Sequence, residues 1–279
     1  MRLDKKVAIV TGGGAGLGRQ SALLFAEEGA SVVIADRNAQ RADQVAAEIT
    51  DKGGYAIGVE TDVSSEDQVE AMVDRTMGTF GKLDILFCNA GIPAPRTAFE
   101  DQNVDEWRKV LDVNIIGYLT CIKYAIPRLR ENGGGAILTC SSGAAISAVP
   151  GVPVYSATKG AINAMTRAFS LDLGADNIRV NVLCPMGGMS ANFYRNPDDP
   201  LIDENTLYVD YKPEDSPGPL HRPNPPRLID HARAALFLVS DEAAWVTGVE
   251  LRTDGGMAVR PQVDVEGTIR AYETAKFVS

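Results

Sequence analysis

The sequence is short of the side chains from which metal cages and nucleophilic triads are made. It has two histidines, His221 and His231, both in its last quarter, so a histidine metal site or a Ser-His-Asp triad has little material to draw on. Its four cysteines, Cys88, Cys121, Cys140 and Cys184, are widely spaced without a C-x-x-C pair, which argues against a zinc site or a disulfide framework and for buried free thiols. A basic excess is missing too. The 27 Lys and Arg against 37 Asp and Glu leave a net charge of −10, the wrong sign for a protein whose partner is a nucleic acid or an anionic membrane. No uninterrupted apolar run approaches the roughly 18 residues of a membrane span, and the run Val7–Val10 is too short for a signal segment. These absences predict a cytoplasmic protein with neither nucleic acid nor membrane as partner.

What is present is ordinary globular material: 279 residues, 45% apolar and 23% charged, enough for one large domain with a sizeable core. Short β-branched runs recur, each followed by a longer amphipathic stretch, the pattern of a parallel sheet covered by helices. Strands are expected at Val7–Val10, Ser31–Ala35, Ala56–Val59, Leu83–Cys88, Ala136–Cys140, Ile178–Leu183 and Val249–Arg252, each apolar enough to be buried on both faces. Helices are expected near residues 17–28, 39–51, 65–79, 103–130, 154–174 and 228–240, with Ser65 and Gln68 forming a capping box at the third. The fold class is therefore α/β, a single doubly wound domain over residues 1–279 with a seven-stranded parallel sheet. Residues 191–226 are acidic and proline-rich, a loop-rich insertion read as a substrate lid before the last helix. The tail 261–279 either frays or docks on a neighbouring subunit.

After the first strand comes Thr11-Gly12-Gly13-Gly14-Ala15-Gly16-Leu17-Gly18, then a helix. Strand, glycine turn and helix together let backbone N–H groups and a helix N-terminus approach a pyrophosphate. Gly12, Gly16 and Gly18 are spaced G-x-x-x-G-x-G, and the absence of a Gly-Lys-Ser/Thr ending excludes a P-loop for ATP or GTP. Asp36 closes the second strand 18 residues beyond Gly18, where a carboxylate would accept a ribose 2′-OH and repel a 2′-phosphate. NAD is thus expected over NADP, with Arg37 as the complication. Asp62, after the third strand, reads equally as a turn residue or an adenine contact.

Tyr155 and Lys159 stand at i and i+4 on one helical face, so an ammonium can lie near the phenol and favour phenolate. A free tyrosine titrates near about 10; such a cation draws it toward the range of a working acid and base. Ser142 follows the fifth strand at its carboxyl end, the edge where open α/β sheets bind ligands, with Ser141 as an alternative. Asn114 falls on an apolar stripe of Val104, Trp107, Leu111, Tyr118 and Ile122, where a polar group needs partners; it is either a satisfied structural amide or an orderer of water.

Taken together, Thr11-Gly12-x-x-x-Gly16-x-Gly18, Asn89-Ala90-Gly91, Asn114, Ser142 and Tyr155-x-x-x-Lys159 resemble the classical short-chain dehydrogenase/reductases over roughly residues 5–260. The resemblance implies a Rossmann-type fold in which Tyr155 is the general acid/base and Lys159 binds the nicotinamide ribose and lowers the tyrosine pKa. It also implies that Ser142 orients the reacting oxygen and Asn114 supports a proton relay. By the same resemblance, Leu17, Asp62 and Val63 contact the dinucleotide, the Asn89-Ala90-Gly91 turn flanks it, and the chain forms a homotetramer. Small residues Gly160, Ala161, Ala164 and Ala168 would permit close helix packing there. One departure stands out: the family's Pro-Gly before a downstream Thr reads Pro185-Met186-Gly187-Gly188-Met189-Ser190. Ser190 keeps a hydroxyl at the threonine position for the cofactor, whereas Met186 adds bulk beside the expected nicotinamide and predicts a reshaped pocket.

The expected activity is direct hydride transfer between NAD and a hydrophobic, cyclic secondary alcohol or its ketone, without a metal. Met186, Met189, Phe193, Tyr194 and Tyr208 supply apolar surface around the lid. The rivals are an NADPH-dependent carbonyl reductase and a non-catalytic dinucleotide-sensing scaffold.

Overall fold

Seven β-branched segments hydrogen-bond side by side in a computed structural model that describes residues 1–147, 149–186, 193, 212, 219–220 and 227–259. The strands are β1 (Val7–Thr11), β2 (Ser31–Asp36), β3 (Tyr55–Glu60), β4 (Ile85–Cys88), β5 (Gly135–Cys140), β6 (Ile178–Pro185) and β7 (Glu250–Thr253). All pairings are parallel, in the order β3-β2-β1-β4-β5-β6-β7. The order reverses between β1 and β4, and the crevice outside their carboxyl ends is where doubly wound sheets take their ligands. The five inner strands are buried, as expected. The edge strands β3 and β7 are only half-buried, because a helix layer covers an outermost strand incompletely.

The helices are α1 (Gly16–Glu27), α2 (Ala39–Asp51), α3 (Glu66–Phe80), α4 (Val104–Leu111), α5 (Gly117–Glu131), α6 (Pro153–Asp172) and α7 (Leu228–Val239). Two apolar clusters flank the sheet. One joins α1, α2 and α7 around Phe25, Val32 and Leu236, and the other joins α3, α5 and α6 around Met72, Tyr118 and Ile162.

Two local expectations are corrected. The Ser65 side chain caps nothing; Gln68 instead accepts the Asp62 N–H at 2.8 Å, so the residue meant to close a capping box ties down the preceding turn. The helix expected over 103–130 is interrupted by a π-helical turn, Asp112–Ile116, between α4 and α5. One extra residue in that turn shifts the face presented to the core, so Val104 and Leu111 are exposed while Asn114, Tyr118 and Ile122 are buried. The combined helix Val104–Glu131 also passes a length and hydropathy test for a membrane span, at 28 residues and mean hydropathy 1.2. Asp112 and Lys123 interrupt its apolar run, and Tyr118, Cys121, Ile122, Ala125 and Leu129 are spent on the core. The expected lid 191–226 lies almost wholly outside the described residues, and the tail 261–279 entirely so.

Candidate active site

The glycine turn after β1 is shaped by what presses on it. Gly12 has φ +62° and a side chain there would meet the Ala90 Cα at 2.9 Å; Gly16 has φ +54°. A Cβ on Gly18 would run into the Gly12 carbonyl oxygen, so this glycine allows the helix to start tight under the turn. Opposite, the Thr11 hydroxyl accepts N–H bonds from Asn89 at 3.0 Å and Ala90 at 3.1 Å. The Asn89 amide in turn donates to the Thr11 and Gly12 carbonyls at 3.0 and 3.3 Å. The β1 and β4 turns are thereby locked into one rim. Helix α1 opens at Ala15 without a side-chain cap and has no acid in its first turn, leaving its N–H groups and dipole for an anion.

A cavity of about 420 Å³ runs along this rim. Gly12, Gly16, Leu17, Asn89, Ala90 and Gly91 line its middle, and Asp36, Asp62 and Val63 line one end. Asp36 accepts the Gly14 N–H and the Asn38 N–H, both at 2.9 Å, so its carboxylate is aligned on the turn. Asp62 serves as a turn residue, its Oδ1 accepting the N–H and hydroxyl of Ser64, and it also borders the cavity. Arg37 shares this end with Arg41, which stands in the first turn of α2 and belongs to no sequence motif.

At the other end stand Tyr155, Lys159, Ile92, Pro93, Val113 and Phe193. The Phe193 ring meets Tyr155 edge-on, with centroids 6.0 Å apart. Lys159 is 3% exposed; its Nζ donates to the Cys140 carbonyl at 2.9 Å and lies 5.5 Å from the centre of the Tyr155 ring. Burial pulls the Lys159 pKa below its ordinary value, and the neighbouring Cys140 and Cys184 oppose that pull. Tyr118 also donates to the Cys140 carbonyl, at 3.0 Å, and burial pushes its phenol well above the usual range. Gly91 forms a floor here, since a Cβ on it would sit 3.3 Å from Asn114 Oδ1 and 3.4 Å from Lys159 Nζ.

Ser141 and Ser142 differ in their hydrogen bonds, and of the two it is Ser141 that borders the cavity. Ser141 is buried and its hydroxyl donates to the Lys159 carbonyl at 2.9 Å, a structural tie to α6. Ser142 is half-buried and accepts the Ala144 N–H at 3.1 Å, which leaves its hydroxyl hydrogen to be donated. Asn114 is fully buried, accepting the Ile92 N–H at 2.8 Å and donating to the Ile92 carbonyl at 3.0 Å and the Thr158 hydroxyl at 3.2 Å. Both of its amide hydrogens are thus committed to protein. Met186 does not border the cavity: its side chain lies over Gly143, where a Cβ would meet Met186 Cε, Cβ and Sδ at 2.7, 2.8 and 2.8 Å. Pro185 ends β6 away from the cavity wall, and Ser190 lies outside the described residues.

The glycines that a Cβ would block, the uncapped helix and the aligned carboxylate fit a dinucleotide, and so does the family comparison. Residues 6–198 match the family model for short chain dehydrogenase. The chain belongs to the short-chain dehydrogenases. Among curated relatives of this dehydrogenase, 7alpha-hydroxysteroid dehydrogenase of Escherichia coli strain K12 is 36% identical over 256 residues, covering 92% of this chain and 95% of the relative. The 2,5-dichloro-2,5-cyclohexadiene-1,4-diol dehydrogenase LinX of Sphingobium indicum is 39% identical over 258 residues, covering 92% and 98%. Among solved structures, 7 alpha-hydroxysteroid dehydrogenase complexed with NADH and 7-oxo glycochenodeoxycholic acid aligns with TM-score 0.78 at 36% identity, over 91% of this chain and 95% of that one. As a short-chain dehydrogenase the protein is an oxidoreductase of CH–OH groups on a fold that binds a nicotinamide dinucleotide.

Proposed function

We propose that this dehydrogenase uses NAD to interconvert a hydrophobic, cyclic secondary alcohol and its ketone. The carrying observation is Asp36, whose carboxylate is aligned by the Gly14 and Asn38 N–H groups at the end of the cavity beyond the glycine turn. A negative group there accepts ribose hydroxyls and repels a 2′-phosphate. Gly12, Gly16, Leu17, Val63 and the Asn89–Gly91 turn would hold the rest of the dinucleotide. When bound, it supplies the hydride acceptor or donor.

The chain's own residues manage position and proton. Tyr155 takes the hydroxyl proton in oxidation and returns it in reduction. Lys159, held by the Cys140 carbonyl near the phenol, favours phenolate. Ser142 donates its hydroxyl hydrogen to the reacting oxygen, and Asn114 holds the Ile92 loop beside them. A relay through the Asn114 side chain can draw only on acceptor capacity. Ile92, Pro93, Val113 and Phe193 give the reacting end an apolar wall suited to a ring, consistent with the cyclic substrates named for the relatives. The exposed Leu111 and Ile116 and the open space above Gly160 support assembly as a homotetramer, and the four buried free thiols suit a reducing cytoplasm.

Following near-ultraviolet absorbance of reduced nicotinamide with a panel of cyclic secondary alcohols tests the reading. Turnover with NAD well above NADP is expected. A preference for NADP would favour the rival carbonyl reductase, for which Arg37 and Arg41 at the same end speak; binding of neither cofactor would refute the site.

A further inference from the structure

We propose that Thr158 is a positioning residue for Tyr155, acting through a hydroxyl that joins the Asn114 amide to the backbone bearing the phenol. Thr158 is fully buried. Its Oγ1 donates to the Tyr155 carbonyl at 2.7 Å and accepts from Asn114 Nδ2 at 3.2 Å, so one oxygen links α6 to the π-helical turn. From there Asn114 reaches the Ile92 N–H and carbonyl, fixing the loop that follows β4. The adjoining Gly91 is the floor on which Lys159 Nζ rests. The hydroxyl therefore fixes two things against each other: the helical turn carrying Tyr155, and the surface under the ammonium that lies 5.5 Å from its ring. Without it the Asn114 amide has one hydrogen unspent in the core, and the tie that this amide makes between the loop and α6 is lost. An ordinary helix would need no such bond, because the Tyr155 carbonyl already faces the N–H one turn on. What the bond adds is the cross-link to Asn114.

The role rests on Tyr155 being the acid/base, and its test does not need a substrate. The protein is labelled with tyrosine enriched in carbon-13 at the ring Cζ, and the resonance missing from Tyr155→Phe is followed against pH in the cofactor-free protein. Thr158→Val, which keeps the shape and loses the hydroxyl, should raise the Tyr155 midpoint by about half to one pH unit, a part of the one to three units that a close opposite charge contributes. Thr158→Ser should return it, and NAD affinity measured by fluorescence should stay within about twofold in both. An unmoved midpoint in folded Thr158→Val, or a failure of Thr158→Ser to restore it, overturns the proposal. Should Thr158→Val not fold, Thr158→Cys gives the same reading, a thiol being a weak hydrogen-bonding group of similar size. A wild-type protein that binds no NAD would refute the cofactor reading while leaving the comparison of midpoints intact.

Discussion

Gly143 and Met186 form an interlock that can be measured as a coupling energy. A Cβ on Gly143 would stand 2.7 Å from Met186 Cε and 2.8 Å from both its Sδ and its Cβ. Carbon atoms prefer about 3.5–4.0 Å, so each contact is roughly an ångström too close. The Cε and Sδ atoms can swing away. The Cβ cannot, because Met186 directly follows β6 and its N–H is bonded to the Thr253 carbonyl at 3.3 Å. Gly143 does not have a positive φ, so Gly143→Ala tests the steric clash without backbone strain. It should destabilise the protein by about 1–3 kcal/mol, the usual cost of overpacking, read from chemical denaturation. It should also lower turnover, since Ser142 and its bond to the Ala144 N–H lie on the same turn. In a Met186→Gly background the added methyl has room, so the same change should cost little, and the double-mutant cycle should yield at least about 1 kcal/mol of coupling. Additivity of the two changes to within about 0.5 kcal/mol would refute the interlock.

Replacing Tyr155 with Phe should leave dinucleotide binding nearly intact and cut turnover by about 10²- to 10⁴-fold, the usual reach of a general acid/base; full activity would remove it from the mechanism. Asp36→Asn removes the charge and can accept only one of the Gly14 and Asn38 N–H groups, so NADP should gain on NAD in competition assays, and unchanged selectivity would exclude Asp36 as the discriminator. Lys159 is depressed by burial, so the native protein holds this proton less tightly than the unfolded chain does. Stability from this group therefore rises with pH across the window up to the ordinary lysine value of 10.5. Denaturation of cofactor-free wild type and Lys159→Met should show the wild type gaining on the variant as pH climbs through that window; a constant difference would refute it.

Strand and helix positions were readable because each buried segment carries its own period: β5 and β6 match their expected spans to within two residues. The cofactor rim was readable for a related reason, glycines being demanded wherever backbones cross closely, as at Gly12 and Gly18. Less accessible were features that depend on residues remote in sequence. The π-helical turn obeys no local periodicity; it is held by Asn114 bonding to Ile92, 22 residues earlier. Ser141 and Ser142 are adjacent and chemically identical, and their different hydrogen bonds depend on partners such as the Lys159 carbonyl, 18 residues beyond Ser141. Thr158 stands inside the very motif that reveals Tyr155 and Lys159, yet its partner is 44 residues away. Met186 looked obstructive from its position alone, because its seat on Gly143 belongs to another strand's turn.

Helix α1 has no side chain of its own to close its first turn. A helix end left this way is completed by whatever anion arrives, which makes the ligand a piece of the folded architecture. Anything that binds only the native form stabilises it by mass action, by about 2.7 kcal/mol at a hundredfold excess over its dissociation constant. The lifetime of the folded chain is then tied to the dinucleotide pool around it. Supply of the coenzyme then bears on how much of the protein persists as well as on how fast it turns over.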